Sequence, residues 1–291
     1  MINYLLHLLI IINIYIVLSL ALQFAVGYAG LMNFGHIAFF GIGAYASALL
    51  SMNGVPYPLT LLLAGCVACV AGFVLTWAVR KLKGDYLALT TLGFSFVLVS
   101  ILLNWTSLTR GPLGIPGIPR PDIFGLAIKS QVAYFMFTGC IALVAYLFFK
   151  NIDRSRFGTL IQGLRDNERF LSAIGKNTFR LKTVSMCLSA FTAGVAGSLF
   201  AHYINFIDPY SFGLTEVILV FTIIIVGGLA NIPGTIEATF LIILIPEALR
   251  FFSLPSSILG PARQMIYAAI LLFILLYKPL GLRGKIQMHE E

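Results

Sequence analysis

Long apolar runs separated by short polar segments constrain this 291-residue chain more than any other feature. A helix needs about 20 mostly apolar residues to cross a bilayer, and nine runs approach or reach that length. The chain is 59% hydrophobic and 10% charged, against roughly 45–50% and about 25% in soluble domains. We therefore predict an all-α polytopic membrane protein with about eight or nine transmembrane helices in one domain, residues 1–291. The predicted spans are residues 3–26, 37–51, 59–80, 86–104, 131–149, 183–204, 215–229, 237–252 and 265–278.

Lysine and arginine are unevenly distributed between the two sets of loops. Fourteen of the 19 fall in the turn at 80–83, the loop at 150–182 and the C-terminal tail. Because cytoplasmic loops carry an excess of these residues, we predict a cytoplasmic C-terminus and, with nine spans, an outside N-terminus. The Pro- and Gly-rich loop 105–130 then lies outside. This topology accounts for the net charge of +8, so we predict no nucleic-acid partner.

The one long polar segment, residues 154–182, carries a weak helical pattern. Its apolar side chains recur at roughly helical spacing and end at a Gly and an Asn that are typical of a helix stop. The pattern predicts a short cytoplasmic helix whose apolar side needs a partner, although a solvated basic loop explains the charges equally well. The residues concerned are Leu160, Leu164, Phe170, Leu171 and Ile174, with Gly175 and Asn177 as the stop.

Two glycine-rich stretches, residues 27–36 and 227–235, interrupt the apolar pattern, and each contains Gly-x-x-Asn, at 30–33 and at 228–231. Irregular backbone at membrane depth occurs only where protein or a water-filled cavity satisfies it, and such helix breaks often line transport paths. Two ordinary cytoplasmic turns fit the sequence as well. The first stretch is either a turn or a break within one element.

The sequence contains no hydrolytic motif, which argues against an enzyme. HExxH, GxSxG and a Walker A lysine loop are absent, and Ser95 in GFSF has no evident histidine partner in the sequence. The four cysteines fall inside apolar segments, so we predict neither a disulfide nor a metal site.

Titratable residues near the membrane are few, and each is a candidate for function. Asp85 and Glu216 stand where acids cap helices, and Glu247 and Arg250 could pair across one helical face. None is predicted at mid-membrane, which argues against a proton-coupled carrier.

Small residues at four-residue spacing predict close helix packing in two spans. The rows are Ala190, Gly194 and Ser198 with Ala193, Gly197 and Ala201 beside them, and Ala64, Ala68 and Gly72.

Six segments, in order, resemble one family over about residues 30–280. They are GLMNFGHIAFFGIGAYASALL, KGDYLALTTLGFSFVLVSILLN, LTRGPLGIPGIPRP, GLRDNERFLSAIGKNTFRLK, LSAFTAGVAGSLFA and VGGLANIPGTI…PEALR. In these segments the chain resembles the M-type permease subunit of branched-chain amino acid ABC importers. The resemblance implies a bacterial or archaeal cytoplasmic membrane and a helical permease bundle.

The resemblance also implies roles for individual residues. The loop 150–182 would couple to a cytoplasmic ATPase through Arg165, Asp166, Asn167, Glu168, Ala173, Ile174 and Gly175. The translocation path would involve Gly30, Asn33, Gly35, His36, Gly41, Asp85, Tyr86, Gly228 and Asn231.

Partners follow from the same resemblance. We expect a second, related permease subunit as a heterodimer, two ATP-binding subunits, a periplasmic or lipid-anchored binding protein that meets the GPLGIPGIP loop, and membrane lipid. The chain would bind no cofactor itself, with ATP and Mg on the ATPase subunits.

Two departures from the family pattern leave the substrate open. The family often has an acid shortly after the GF of the fourth span, where this chain has Ser95, Phe96 and Val97, and Glu237 replaces the small residue usual after IPG. Urea or a short amide is therefore an alternative substrate. An ATP-independent secondary transporter or a channel is the alternative class.

Overall fold

The computed structural model describes residues 2–123, 126–128, 130–247, 256–278 and 280–283, and these form a helical bundle. The π-helical turn Phe24–Tyr28 directly extends α1. Two 3₁₀ turns, Gly111–Leu113 and Pro209–Phe212, precede β1 and α10. The α-helices are α1 (Ile2–Gln23), α2 (His36–Met52), α3 (Tyr57–Ala78), α4 (Gly84–Asn104), α5 (Thr106–Thr109), α6 (Gln131–Asp153), α7 (Arg156–Asp166), α8 (Glu168–Ala173), α9 (Thr178–Ile204), α10 (Leu214–Gly227), α11 (Ile232–Glu247) and α12 (Ser256–Tyr277).

Six helical segments of the described chain are long and apolar enough to cross a membrane, which confirms a polytopic, mostly helical membrane protein. The predicted boundaries are a few residues off at most ends. The largest start error is at α12, which begins at Ser256 and not at 265. The helix α11 begins at Ile232 and not at 237, because Asn231 caps it and Pro233 suits a first helical turn. The six segments are Ile2–Tyr28, Tyr57–Ala78, Gly84–Asn104, Gln131–Asp153, Thr178–Ile204 and Pro209–Gly227.

The core lies where α9 packs between α2 and α3, and small residues make this packing possible. A Cβ atom added at Gly43 would lie 2.3 Å from the Cα of Gly194, and one added at Gly72 would lie 2.7 Å from the Cβ of Ala190. The predicted small-residue rows are thus confirmed as helix contacts.

The loop between α5 and α6 contains short strands that the sequence did not predict. β1 (Ile115–Pro116) pairs antiparallel with β4 (Phe206–Ile207), and β2 (Asp122–Ile123) pairs with β3 (Leu126–Ala127). Because β4 follows α9 directly, the first pair fastens the loop to the end of α9.

The polar segment forms two helices, where a single helix was predicted. The chain breaks at Asn167, whose side chain accepts a hydrogen bond from the Phe170 N–H at 2.8 Å and so begins α8. We call residues 156–173 the polar hairpin. Asn177, predicted as a stop, instead caps the start of α9.

The apolar residues of this segment also divide into two groups. Leu164 and Leu171 are buried together with Leu181, whereas Phe170 and Ile174 are 61% and 51% exposed. The polar hairpin therefore packs on α9 through a small apolar cluster, while Phe170 of α8 and Ile174 just after it are exposed.

Candidate functional site

The first glycine-rich stretch is a helix break and not an ordinary turn. α1 widens into its π-helical turn, and residues 29–35 then run irregularly to the start of α2. Most of this segment is buried, including Ala29, Leu31 and Asn33. Buried irregular backbone needs polar partners from elsewhere in the protein. We call residues 29–35 the first break.

The second break, residues 228–231, joins α10 to α11 and touches the end of α1 beside the first break. The Gln23 side chain donates a hydrogen bond to the Gly228 carbonyl at 2.7 Å. A Cβ atom added at Gly27 would lie 2.6 Å from the backbone nitrogen of Ala230. The second break, about 200 positions further along the sequence, is therefore held against the end of α1, where the first break begins.

Arg165 of the polar hairpin reaches into this contact. Its Nη1 donates to the Gly27 carbonyl at 2.9 Å, and its side chain is only 15% exposed. Gly30, with φ +68°, lies against the aliphatic part of the same side chain, because an added Cβ would come within 2.9 Å of the Arg165 Cγ. We call Gln23, Gly27, Gly30, Arg165 and Gly228 the break junction.

Glu168 fastens the polar hairpin to the bundle. Its carboxylate forms ion pairs with Lys182 and Lys83, each at 2.7 Å. Burial disfavours the charged carboxylate, but the hydrogen bonds and charges of Lys182 and Lys83 outweigh that cost and lower the pKa of Glu168. The hairpin is thus joined to the start of α9 and to the turn before α4.

The first break is also attached to α4. Thr91 Oγ1 accepts a hydrogen bond from the Phe34 N–H at 3.0 Å, and Ser95 Oγ donates to the Phe34 carbonyl at 3.3 Å. In the sequence Ser95 is a nucleophile candidate without a histidine partner and a departure from the family pattern; in the structure it satisfies irregular backbone.

Asn33 and His36 lie buried on the α9 side of the first break. Asn33 Nδ2 lies 3.3 Å from the Met186 sulfur, and His36 Nε2 lies 3.0 Å from the Leu18 carbonyl. Since a carbonyl only accepts, the Nε2 of His36 carries a proton. Asn33 Oδ1 and Gln23 Oε1 are buried without a hydrogen-bond partner in the described protein.

The second break is fixed by residues near the C-terminus. Asn231 Oδ1 accepts from the Gly234 N–H at 2.8 Å, and its Nδ2 donates to the Arg283 carbonyl at 2.6 Å. Arg283 also forms an ion pair with Glu237 at 2.7 Å. The turn before α4, the polar hairpin and residues 280–283 thus gather at one end of the bundle.

The other predicted site residues lie outside the break junction. Gly35 and Gly41 are packed elsewhere, against the Thr91 carbonyl and the Phe212 ring respectively. Six of the predicted residues are exposed. Asp166 and Ala173 lie on the polar hairpin, Ile174 and Gly175 follow it, and Asp85 and Tyr86 lie at the start of α4.

Asp85 does not cap α4 as predicted. It lies in the first turn, and the N-cap is Lys83, which makes no side-chain cap hydrogen bond. The predicted pair of Glu247 with Arg250 involves a residue outside the described ones.

Glu216 lies deeper along the bundle than the sequence predicted. Tyr15 donates a hydrogen bond to its carboxylate at 2.6 Å, and Tyr15 is thirteen residues from each end of the segment Ile2–Tyr28. The carboxyl group therefore lies level with the middle of that segment. The sequence places Glu216 near a helix start, but the 3₁₀ turn Pro209–Phe212 begins the segment inside the bundle, where Phe212 packs on Phe40.

Gln23 and Thr91 contribute hydrogen bonds that the sequence reading did not single out. Both are polar side chains within strongly apolar helices. Such residues are costly in lipid and usually face the inside of a bundle, so this signal could have found them.

A family model described as "Branched-chain amino acid transport system / permease component" matches residues 4–276. LivM of Salmonella typhimurium, named as a high-affinity branched-chain amino acid transport system permease protein, is 33% identical, with 92% of this chain and 67% of LivM covered. A probable LivM of Methanocaldococcus jannaschii is 25% identical over 93% of this chain and 90% of its own length. LivH of Escherichia coli is 26% identical, with 95% and 93% covered. No solved structure matches. Because the family model matches residues 4–276, nearly the whole chain, the chain belongs to the family of branched-chain amino acid transport permease components.

Proposed function

We propose that this chain is a permease subunit of an ATP-driven ABC importer that carries branched-chain amino acids across the cytoplasmic membrane. The family description and the names of the relatives support the transport role and this substrate class. Relatives of both the LivM and the LivH type support a second, related permease as the partner.

The observation that carries the proposal is the insertion of Arg165 into the break junction. Arg165 belongs to the polar hairpin, on which the apolar side chain of Phe170 is exposed, and it contacts the buried end of α1. In the proposed mechanism, the hairpin binds to the ATP-binding subunits. It moves with them when ATP binding closes the two subunits. Arg165 passes that movement to Gly27 and Gly30, and the bundle changes between outward and inward openings.

The topology is part of the proposal. Nine membrane-crossing helices place the N-terminus outside and the C-terminus in the cytoplasm. The clustering of Lys83, the polar hairpin and Arg283 at one end supports a common side for the basic segments. The loop at the other end then meets a binding protein.

The translocation path is proposed to follow the buried polar groups of the first break and its neighbours. Asn33 and His36 line the α9 side, and Gly228 and Asn231 form the facing second break. ATP and Mg bind to the ATPase subunits, and the permease itself hydrolyses nothing.

The first test is a mild-detergent pull-down of the tagged chain from its host, with mass spectrometry of the co-purifying chains. We expect ATP-binding subunits and a second permease. A lone chain, or a homo-oligomer without an ATPase, would contradict the proposal.

A second test replaces residues 165–168 with Gly and Ser. We expect a folded complex in which ATP turnover continues while uptake is lost. The matched control changes Lys176 and Arg180, both exposed and outside the break junction, to Gln, and should keep uptake. Unchanged uptake in the 165–168 variant would refute the coupling role.

Glu216 favours one alternative, a proton-linked secondary carrier, because carriers of that kind use buried carboxyl groups. Uptake in vesicles separates the two. Uptake by an ATP-driven importer stops when ATP is removed and is insensitive to a protonophore. Uptake by a proton-linked carrier continues without ATP, stops when a protonophore is added, and is lost when Glu216 is changed to Gln.

A further inference from the structure

The end of α3 carries an aromatic ring and two basic residues. The guanidinium carbon of Arg80 lies 5.5 Å from the centre of the Trp77 ring, which is the distance of a cation–π contact. Trp77, Arg80 and Lys81 are all exposed. Among the ion pairs of the described residues, none includes Arg80 or Lys81. Two positive charges therefore lie beside one indole ring without an acidic partner in that part of the chain.

A second pair of this kind lies at the end of α6. There, Lys150 Nζ lies 5.1 Å from the centre of the Tyr146 ring. Aromatic rings with basic residues beyond them are typical of the boundary between lipid and water. α6 leads directly into the polar hairpin, and α3 leads into the turn that holds Lys83, which pairs with Glu168 of that hairpin. Arg80 thus lies at the membrane surface on the polar-hairpin side.

On the membrane side of Arg80, the outward face of α3 is an apolar strip of large side chains. Its members are Val67, Val70, Val74 and Trp77, which are between 44% and 62% exposed. Ten residues of helix cover about 15 Å, which is half of a hydrocarbon layer of about 30 Å. The strip is therefore as long as the acyl layer of one leaflet.

Side-chain size distinguishes this face of α3 from the face that packs on α9. Helix contacts in a bilayer favour small residues, and the face towards α9 has Ala64, Ala68 and Gly72. The outward face has valine and tryptophan, and a protein that covered its basic end would have to supply an acid. A phospholipid meets both conditions, because acyl chains cover large apolar side chains and a phosphate pairs with arginine.

The nearby acids leave the positive charge in place. Glu168 is shared by Lys83 and Lys182, each at 2.7 Å. Asp85, in the first turn of α4, is exposed and takes part in no ion pair among the described residues. Residues 80–85 contain three basic residues and one acid, so the end of α3 has a net positive charge that suits an anion.

We propose that the end of α3 binds an anionic phospholipid at the membrane surface on the polar-hairpin side. Arg80 pairs with the phosphate through two N–H groups, as guanidinium favours, and Lys81 adds a second positive charge. One acyl chain lies along Val70, Val74 and Trp77. The site is separate from the break junction and independent of the proposed importer function.

The test uses the full chain, purified with its accompanying subunits and placed in phosphatidylcholine vesicles. These contain a small fraction of photoreactive phosphatidylglycerol or, in parallel, of photoreactive phosphatidylcholine with the reactive group on the same acyl chain. After illumination, mass spectrometry of peptides measures the lipid attached to residues 67–79. At roughly fivefold for each basic residue near an anionic headgroup, we expect phosphatidylglycerol to label this segment about 25-fold more than phosphatidylcholine.

Variants of the two basic residues and one control assign the preference. Arg80→Gln and Lys81→Gln should each lower it about fivefold. Both residues are exposed, so neither change should alter the thermal midpoint of the complex. Arg169→Gln is the matched control, because Arg169 is an exposed basic residue of α8 and not of α3. It should leave the preference intact.

Four results would overturn the proposal. The first is equal labelling of residues 67–79 by the two probes in the unmodified complex. The second is a loss of preference in Arg169→Gln as large as that in Arg80→Gln. The third is no labelling of this segment by either probe, which would mean that a neighbouring subunit covers the face. The fourth is removal of the preference by soluble glycerol phosphate, which would assign the basic residues to a free anion.

Discussion

The two breaks share a Gly-x-x-Asn sequence and a glycine with positive φ, +68° at Gly30 and +93° at Gly228, yet their asparagines do different work. Asn231 stands directly before α11 and caps it. Asn33 stands three residues before α2, is fully buried, and contacts only the Met186 sulfur among the hydrogen bonds of the described protein. Equal motifs therefore do not imply equal roles, because the distance from the asparagine to the next helix decides whether it can cap.

The breaks also differ in what holds them. The second is fixed by its own cap and by residues 280–283. The first is held from outside, by Arg165 of the polar hairpin and by Thr91 of α4. Because Arg165 of the polar hairpin lies against Gly30 of the first break, the proposed mechanism makes the first break the moving part and the second break the fixed part.

The largest expected effect comes from Gly27→Ala, which would break the contact between the end of α1 and the second break. The new Cβ would lie 2.6 Å from the backbone nitrogen of Ala230. Since this neighbour is backbone and not a flexible side chain, it cannot move away easily. We expect a loss of about 3 kcal/mol in the free energy of unfolding, measured by thermal unfolding in mild detergent. Gly93→Ala is the matched control, because nothing lies within 4 Å of its added Cβ. Equal midpoints for the two variants would contradict the contact.

Arg165→Met tests the external hold on the first break. The change keeps an aliphatic side chain against Gly30 but leaves the buried Gly27 carbonyl without its donor, at a cost of about 2 kcal/mol. We expect uptake to fall more than ATP turnover in the reconstituted complex. Arg169→Met, an exposed residue of the same hairpin, should change neither. If both variants behave alike, Arg165 is not the link.

The asparagine comparison can be tested directly with Asn231→Ala and Asn33→Ala. Loss of the helix cap at Asn231 should lower the free energy of unfolding by about 1 kcal/mol. At Asn33 the change removes an oxygen that is already without a partner and only a weak contact of Nδ2 with the Met186 sulfur, so stability should change less than at Asn231, while uptake should fall if the first break lines the path. Equal destabilisation by the two variants would restore the equivalence suggested by the shared motif.

Much of the bundle could be predicted from the sequence because membrane helices are specified locally. Runs of apolar residues predicted the helices, and the rows containing Gly72 and Gly194 predicted close packing, although the structure was needed to show that these rows of α3 and α9 meet each other. The polar hairpin was also predicted as an amphipathic segment, though its division at Asn167 depends on one side-chain hydrogen bond.

The break junction could be predicted only in part. The two glycine-rich stretches and Arg165 stood out in the sequence, but their meeting depends on the packing of α1 against α10 and α11. Glu216 was misplaced for the same reason, because its depth is set by where the preceding 3₁₀ turn packs on Phe40. Local sequence carries no information on such long-range contacts.

The smallest expected effect concerns Glu168, which joins the polar hairpin to Lys83 and Lys182. Its pKa is lowered in the folded protein from an ordinary value of 4.5. The ion pairs therefore stabilise the fold above that ordinary value, and this contribution disappears as the pH falls through the lowered pKa of the folded state. Because the pairs are partly exposed, we expect only about 0.5 kcal/mol from them.

Glu168→Gln should accordingly lower the thermal midpoint slightly at pH 7 and leave it unchanged at a pH below the lowered pKa. Asp166→Asn is the matched control, since Asp166 pairs only with its neighbour Arg165 among the ion pairs of the described residues and its side chain is 63% exposed. If the hairpin transmits movement through Arg165, then loosening its other attachment at Glu168 should leave uptake coupled to ATP turnover. A loss of coupling in Glu168→Gln as large as that in Arg165→Met would instead mean that the hairpin acts as one rigid unit on both α4 and the first break.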